Sequence, residues 1–166
     1  MTSFAGKVVA IVGPGGERVR AVAVAFAEAG ADLALGTQSR AQDHEFAMAS
    51  IANEVWVIGN EQFLRVMESS DTAEVEGFAD ETWGELQACD VLVAFVPDPS
   101  ALVRVFAPRM GPGGVIVLVA AGDEESGALA AQASDLSSLA PGLRLETVTM
   151  AVPGEEAAVL VAAAPH

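Results

Sequence analysis

Gly13-Pro14-Gly15-Gly16 follows the apolar run Val8–Val12, and a helical pattern begins at Glu17. Backbone N–H groups at the head of a helix favour an anion, and glycines let one come close. Glu17 works against that use, because it sets a carboxylate at the same helix end. Candidate acid–base groups are sparse. His44 stands between Asp43 and Glu45, and Asp123-Glu124-Glu125 follows another apolar run. Acid–base chemistry would draw on His44, Asp123 or Glu124. The plainer reading is a solvated helical histidine and a polar loop. Ser126 and Ser134 have no evident histidine base and no G-x-S-x-G elbow occurs, so serine hydrolysis is not supported. Cys89 is the only cysteine, and His44 and His166 lie far apart. Neither a disulfide framework nor a zinc site is expected. The chain contains no tyrosine, and Lys7 is its only lysine.

The elements that must position these groups alternate in type. Val8–Val12 reads as a strand buried on both faces. Glu17–Ala29 is a helix with Val19, Val22, Ala23, Phe26 and Ala27 on one face, stopped by Gly30. Asp32–Leu35 is a second strand. Arg40–Asn53 is helical in pattern, with Phe46, Ala47 and Ile51 inward. Val55–Ile58 is either a strand or the last turn of that helix, and Gln62–Met67 is the preferred third strand. Thr72–Ala88 is a helix, Asp90–Val96 a strand, Ala101–Met110 a short helix and Val115–Ala120 a strand. A weak helix over Ser126–Leu139 precedes a strand over Leu143–Val152. The apolar stretch Ala157–Ala163 reads as a final strand. This alternation predicts one α/β domain over residues 1–166, a parallel sheet with helices on both faces.

The formal net charge is −15, which argues against nucleic acid and anionic membrane surfaces as partners. Eight acids lie between Glu68 and Asp90 with no Lys or Arg among them. They read as a solvated helix face, or more sharply as a docking face for a basic partner. Only 19% of residues are charged, in keeping with a partner covering part of the surface. Met1-Thr2-Ser3-Phe4 lacks the charged start of a signal peptide, and no segment is long and apolar enough to span a bilayer. A cytoplasmic, soluble protein is the expectation.

Several segments resemble the short-chain dehydrogenase/reductase family. They are the Gly13–Gly30 unit with its alanine-rich helix, and Ala73–Phe78 leading through Trp83-Gly84-Glu85-Leu86 to Asp90-Val91-Leu92-Val93. Phe106–Met110 followed by Gly113–Val117, and Gly142-Leu143-Arg144-Leu145, complete the likeness. It covers most of the chain. It implies a Rossmann-like doubly wound sheet, and it puts Glu68 at the end of the third strand.

The departures from the family pattern fall on its chemistry. Gly13 holds the place of the first turn glycine, but Glu17 and Val19 stand where the second and third belong. Those two glycines admit the pyrophosphate and the close helix packing. Gly15 and Gly16 offer a shifted turn, and Arg40 a cation beyond Thr37 and Gln38. Gly13, Gly15, Gly16 and Arg40 are what would remain of an NAD(P) site; no cofactor is expected. Phe95 replaces a small residue after the fourth strand and should fill the crevice. Ala120-Ala121 stands for the family's serine, and Gln132–Ser138 lacks its Tyr-x-x-x-Lys. Hydride transfer to a carbonyl needs a tuned proton donor, and none is left. The resemblance therefore implies a shortened, catalytically degenerate member. It would pair with an active relative or with itself through Ala101–Met110 and Ser126–Leu139, where Leu102, Val105, Phe106 and Met110 form a stripe. The alternative is a small enzyme, or a nucleotide- or acyl-CoA-binding module, reusing the crevice.

Overall fold

The computed structural model describes residues 3–165. His166 and the first two residues, which belong to the region weighed as a leader, lie outside the described residues. The elements run β1 (Val8–Gly13), α1 (Glu17–Glu28), β2 (Asp32–Thr37), α2 (Gln42–Ile58), β3 (Gln62–Arg65) and α3 (Thr72–Leu86). They continue as β4 (Val91–Ala94), α4 (Ser100–Phe106), β5 (Val115–Ala120), α5 (Asp123–Leu139), β6 (Arg144–Thr149) and α6 (Glu156–Ala163). The sheet order is β3-β2-β1-β4-β5-β6, and every pairing is parallel. This is the doubly wound α/β fold that the alternation predicted.

Residues of β1, β4 and β5 are buried at every position. Strand alternation divides them between two cores. Val9, Ile11, Val93 and Val117 face α1, α2 and α6. Ala10, Val12, Leu92 and Ile116 face α3, α4 and α5. Since the chain crosses over between β1 and β4, the carboxyl ends of those two strands flank the topological switch point, where open sheets of this kind bind ligands.

Four expectations need correction. Ala157–Ala163 lies in helix α6, where Val159 and Ala163, four apart, are buried on the β5 side. An apolar run of that length has no period to separate strand from helix, and its alanines favour the helix. Phe46 points outward at 62% exposure, while Met48, Ile51 and Val55 form the buried face of α2. Asp123, Glu124 and Glu125 are the first turn of α5 rather than a loop, where acids suit the helix dipole. In the Leu102–Met110 stripe, Leu102, Phe106 and Met110 are buried in the chain's own core, and only Val105 is partly exposed.

Strand three is Gln62–Arg65, and Val55–Ile58 ends α2. Gly59 closes that helix with φ at 102°. The acids of the third helix are mostly spent inside the chain. Asp71 caps α3 by accepting from the Ala73 and Glu74 N–H groups. Glu74 takes Arg40, Glu81 takes Arg65, and Asp80 takes Arg109. Asp90 accepts from the Val8 N–H at 2.9 Å.

Arg20 of α1 clasps Glu54 of α2, with Nε and Nη2 donating at 2.7 and 2.5 Å. The hydrogen bonds from Arg20 hold the Glu54 carboxyl below the ordinary range near 4.5, against the desolvation that would raise it. A depressed folded value means the pair contributes fully above about pH 4.5 and is lost as the pH falls through the folded value. Both side chains are more than a third exposed, so the contribution is small. Urea unfolding of Glu54→Gln should show lower stability than the parent at pH 7 and a narrowing gap towards pH 3. A gap that widens on acidification would refute the assignment.

Candidate functional site

The site to assess is the carboxyl edge of the sheet over the β1–α1 turn. Gly15 and Gly16 carry φ of 83° and 87°, which glycine adopts without a Cβ penalty. Together they swing the chain sharply from β1 into α1. Gly16 heads the helix without any side-chain cap.

Side chains of the same chain stand over this turn. A Cβ placed on Gly15 would lie 2.3 Å from the Ala47 Cβ, so α2 rests directly on the glycine. A Cβ on Gly13 would lie 2.9 Å from the Phe95 Cβ and 3.1 Å from Val19 Cγ2. The absent side chains that in a dinucleotide fold leave room for a phosphate here leave room for Ala47, Phe95 and Val19. Phe95 is 4% exposed and its N–H donates to the Val12 carbonyl at 2.8 Å.

Arg18 extends across the same edge. Its Nη1 donates to the Met150 carbonyl beyond β6 at 2.7 Å, and its guanidinium carbon lies 5.8 Å from the Phe95 ring centroid. A cation over an aromatic face is attractive, so Arg18 holds Phe95 down while tying α1 to the end of β6. At the end of β2, Thr37 is fully buried. Its hydroxyl donates to the Met67 carbonyl and accepts from the Met67 N–H, both at 2.7 Å. It joins β2 to the β3–α3 loop and has no remaining donor for a ribose.

Arg40 does not face the turn as an unpaired cation. It is bound to Glu74 of α3, with Nε donating at 2.8 Å, and that hydrogen bond raises its pKa further. Gly13, Gly15 and Gly16 are thus together at the turn, and Arg40 is committed elsewhere. Glu17 is 71% exposed at the helix head, 3.5 Å from Arg20.

The acid–base candidates are not brought together. His44 follows β2, while Asp123 and Glu124 follow β5, and β1 and β4 lie between those strands. Three inter-strand steps make about 14 Å. His44 has a partner that sequence reading passed over: its Nδ1 lies 2.7 Å from Ser39 Oγ. Ser39 Oγ also accepts from the Ala41 N–H at 3.1 Å. Both residues sit at the entry to α2, where this pairing shapes the turn. Lys7 lies at the opposite edge of the sheet, in a recess of about 240 Å³ with Phe4, Cys89 and Asp90. Burial pushes the Cys89 thiol up to about 12, so it is a neutral core residue. Among the described residues no three His, Cys, Asp or Glu side chains are grouped to hold a metal. None of the helices described is long and apolar enough to cross a membrane.

Ala47 and Arg18 are the site residues that sequence reading missed. Ala47 was placed inward, but its contact with Gly15 depends on the angle of α2. Arg18 carries no motif, and its target lies 132 residues away.

No protein-family model matches the sequence, and no curated protein matches it. Solved structures do. A xylitol dehydrogenase with NAD+ bound superposes at a TM-score of 0.72 with 21% identity, covering 88% of this chain and 70% of that one. A short-chain dehydrogenase/reductase of Burkholderia phymatum in complex with NAD gives 0.72 and 21%, covering 90% of this chain and 66% of the other. A candidate short-chain dehydrogenase/reductase of Burkholderia xenovorans gives 0.72 and 20%, covering 99% and 91%. The chain therefore has a Rossmann-like fold of the short-chain dehydrogenase type.

Proposed function

We propose that this chain is a non-catalytic subunit with a short-chain-dehydrogenase-like fold, shortened and degenerate at its catalytic positions. It pairs with an active dehydrogenase/reductase relative or with itself, in a structural or regulatory role. The observation that carries this reading is the packing of Ala47, Phe95 and Val19 against Gly15 and Gly13. A dinucleotide would have to displace core side chains and approach the Glu17 carboxylate. The second support is chemical. Ala120-Ala121 and Gln132–Ser138 supply no serine, tyrosine and lysine set, and reduction of a carbonyl without a proton donor is slow.

The pairing face assigned to Ala101–Met110 and Ser126–Leu139 rests mainly on its second segment. The outward side of α5 presents Gly127, Ala130, Ala131, Ser134 and Ser138, all exposed. Small residues allow a helix of another chain to come close.

Calorimetric titration with NAD+, NADH, NADP+ and NADPH tests the closed crevice. No saturable heat is expected up to about 1 mM, the weak end of specific binding. Native mass measurement from the source cell tests the pairing, with a second dehydrogenase-like chain or a second copy as the expected companion. Saturable binding of a nicotinamide dinucleotide with turnover by the isolated chain would overturn the reading.

A further inference from the structure

Helix α2 leaves apolar side chains at both of its ends without a partner inside the chain. Phe46, Trp56 and Val57 are 62%, 69% and 77% exposed, and Ile58 is 36% exposed. These are most of the exposed large hydrophobic side chains among the described residues; Val152 and Val161 lie elsewhere. Phe46 and Val57 share one side of the helix, with Trp56 and Ile58 on its two flanks. The four expose on the order of 500 Å² spread along the helix, taking aromatic side chains at about 150–250 Å² each. Apolar area gathered on one helix offers an interaction surface.

The face has an order that selects its occupant. Phe46, Ser50, Asn53 and Val57 are all exposed and follow one another at steps of four, three and four. That spacing is one stripe along the helix. Read in either direction, the stripe runs large apolar, small polar, small polar, large apolar. We infer that α2 is a self-association face, on which a second copy of this chain lays its own α2 antiparallel about a two-fold axis between Ser50 and Asn53. In that register Phe46 meets Val57 of the partner copy at both ends. Ser50 meets Asn53 in the middle, where hydroxyl and amide can hydrogen-bond across the axis. An isologous interface requires this kind of self-complementarity.

Charge supports the same occupant. Two chains of −15 repel each other unless they meet where charge is low. No member of the stripe is charged. The register sets Asp43 across from Asn60, Glu45 across from Ile58, and Glu54, already bound to Arg20, across from Ala49. No acid faces an acid. The area is below the roughly 800 Å² per partner of a standard interface, so the association belongs in the micromolar range. This inference does not use α5 and does not depend on the state of the crevice.

The test is sedimentation of the full chain over a wide concentration range. Wild-type protein should pass from monomer to dimer. Phe46→Glu and Val57→Glu each bury a carboxylate against an apolar partner and should weaken association tenfold or more, about 1.4 kcal/mol. Val161→Glu on α6 and Ala130→Glu on α5 should leave it unchanged. All four side chains are exposed, so folding should survive, as circular dichroism will report. Register is read by oxidation: a mixture of Ser50→Cys and Asn53→Cys chains should cross-link faster than either alone, Cys89 being buried. A monomer at every concentration overturns the inference. So does a dimer indifferent to both α2 substitutions, and so does cross-linking no faster in the mixture. A dimer lost only in Ala130→Glu would overturn it while leaving the proposed function standing.

Discussion

Gly15→Ala should destabilise the protein by about 2–5 kcal/mol. Two causes add. The residue sits at a φ of 83°, and placing a Cβ in left-handed backbone costs about 1–2 kcal/mol. The new methyl would also stand 2.3 Å from the Ala47 Cβ, with Ala47 backbone atoms at 3.0 and 3.2 Å. Neither neighbour is the flexible end of a side chain, so α2 must move, and overpacking of this kind costs about 1–3 kcal/mol. The control is the Ala47→Gly background, which removes the methyl that the new Cβ meets and leaves the backbone penalty. Urea denaturation should show Gly15→Ala costing less in that background than in the parent. If the cost is the same in both, α2 does not rest on the turn in solution, and the turn is open to a ligand after all.

Phe95→Ala should cost about 3–5 kcal/mol, the usual range for deleting a buried phenyl ring. At this chain length each kcal/mol lowers the melting midpoint by about 2–4 °C, so calorimetry will resolve it easily. The ring packs on Gly13 and lies beneath Arg18, so the substitution also releases the Arg18 guanidinium from its aromatic platform. The cavity would open beside the first turn glycine. Dinucleotide titration of this variant should still give no saturable heat, because Ala47 continues to cover Gly15 and Glu17 remains at the helix head. A cost below about 1 kcal/mol would mean that Phe95 is not part of the packed core.

Most of the architecture was legible because parallel strands advertise themselves. Runs such as Val8–Val12 and Val115–Ala120 are apolar at every position, and the segments between them change period from two to 3.6. The likeness of Asp90-Val91-Leu92-Val93 and the first turn to a known family put Gln62 at the head of strand three, as observed. Phase was harder. The pattern sets Phe46, Ala47 and Ile51 inward, yet Phe46 and Ile51 are five apart, a poor helical repeat. Met48, Ile51 and Val55 become the evident face only once α2 is seen to run through Ile58. The last apolar stretch failed for a related reason. An all-apolar run of seven residues fits either element, and only the flank of β5 beside α1, which this segment covers, makes it a helix.

The candidate site divides along the same line. Residue types alone set out which side chains are missing, since no fold can supply a tyrosine that is absent or move the only lysine away from the entry to β1. They also marked Phe95 as too large for an open crevice. Only the tertiary structure decided what stands there instead: Ala47 on Gly15, Arg18 bridging Phe95 to the Met150 carbonyl, and Arg40 drawn away to Glu74. Those contacts join residues tens of positions apart, through the tilt of one helix over a turn. The chain's local preferences specify the helix and the turn but not the angle between them. Packing sets that angle, through side-chain volumes contributed by every strand of the sheet.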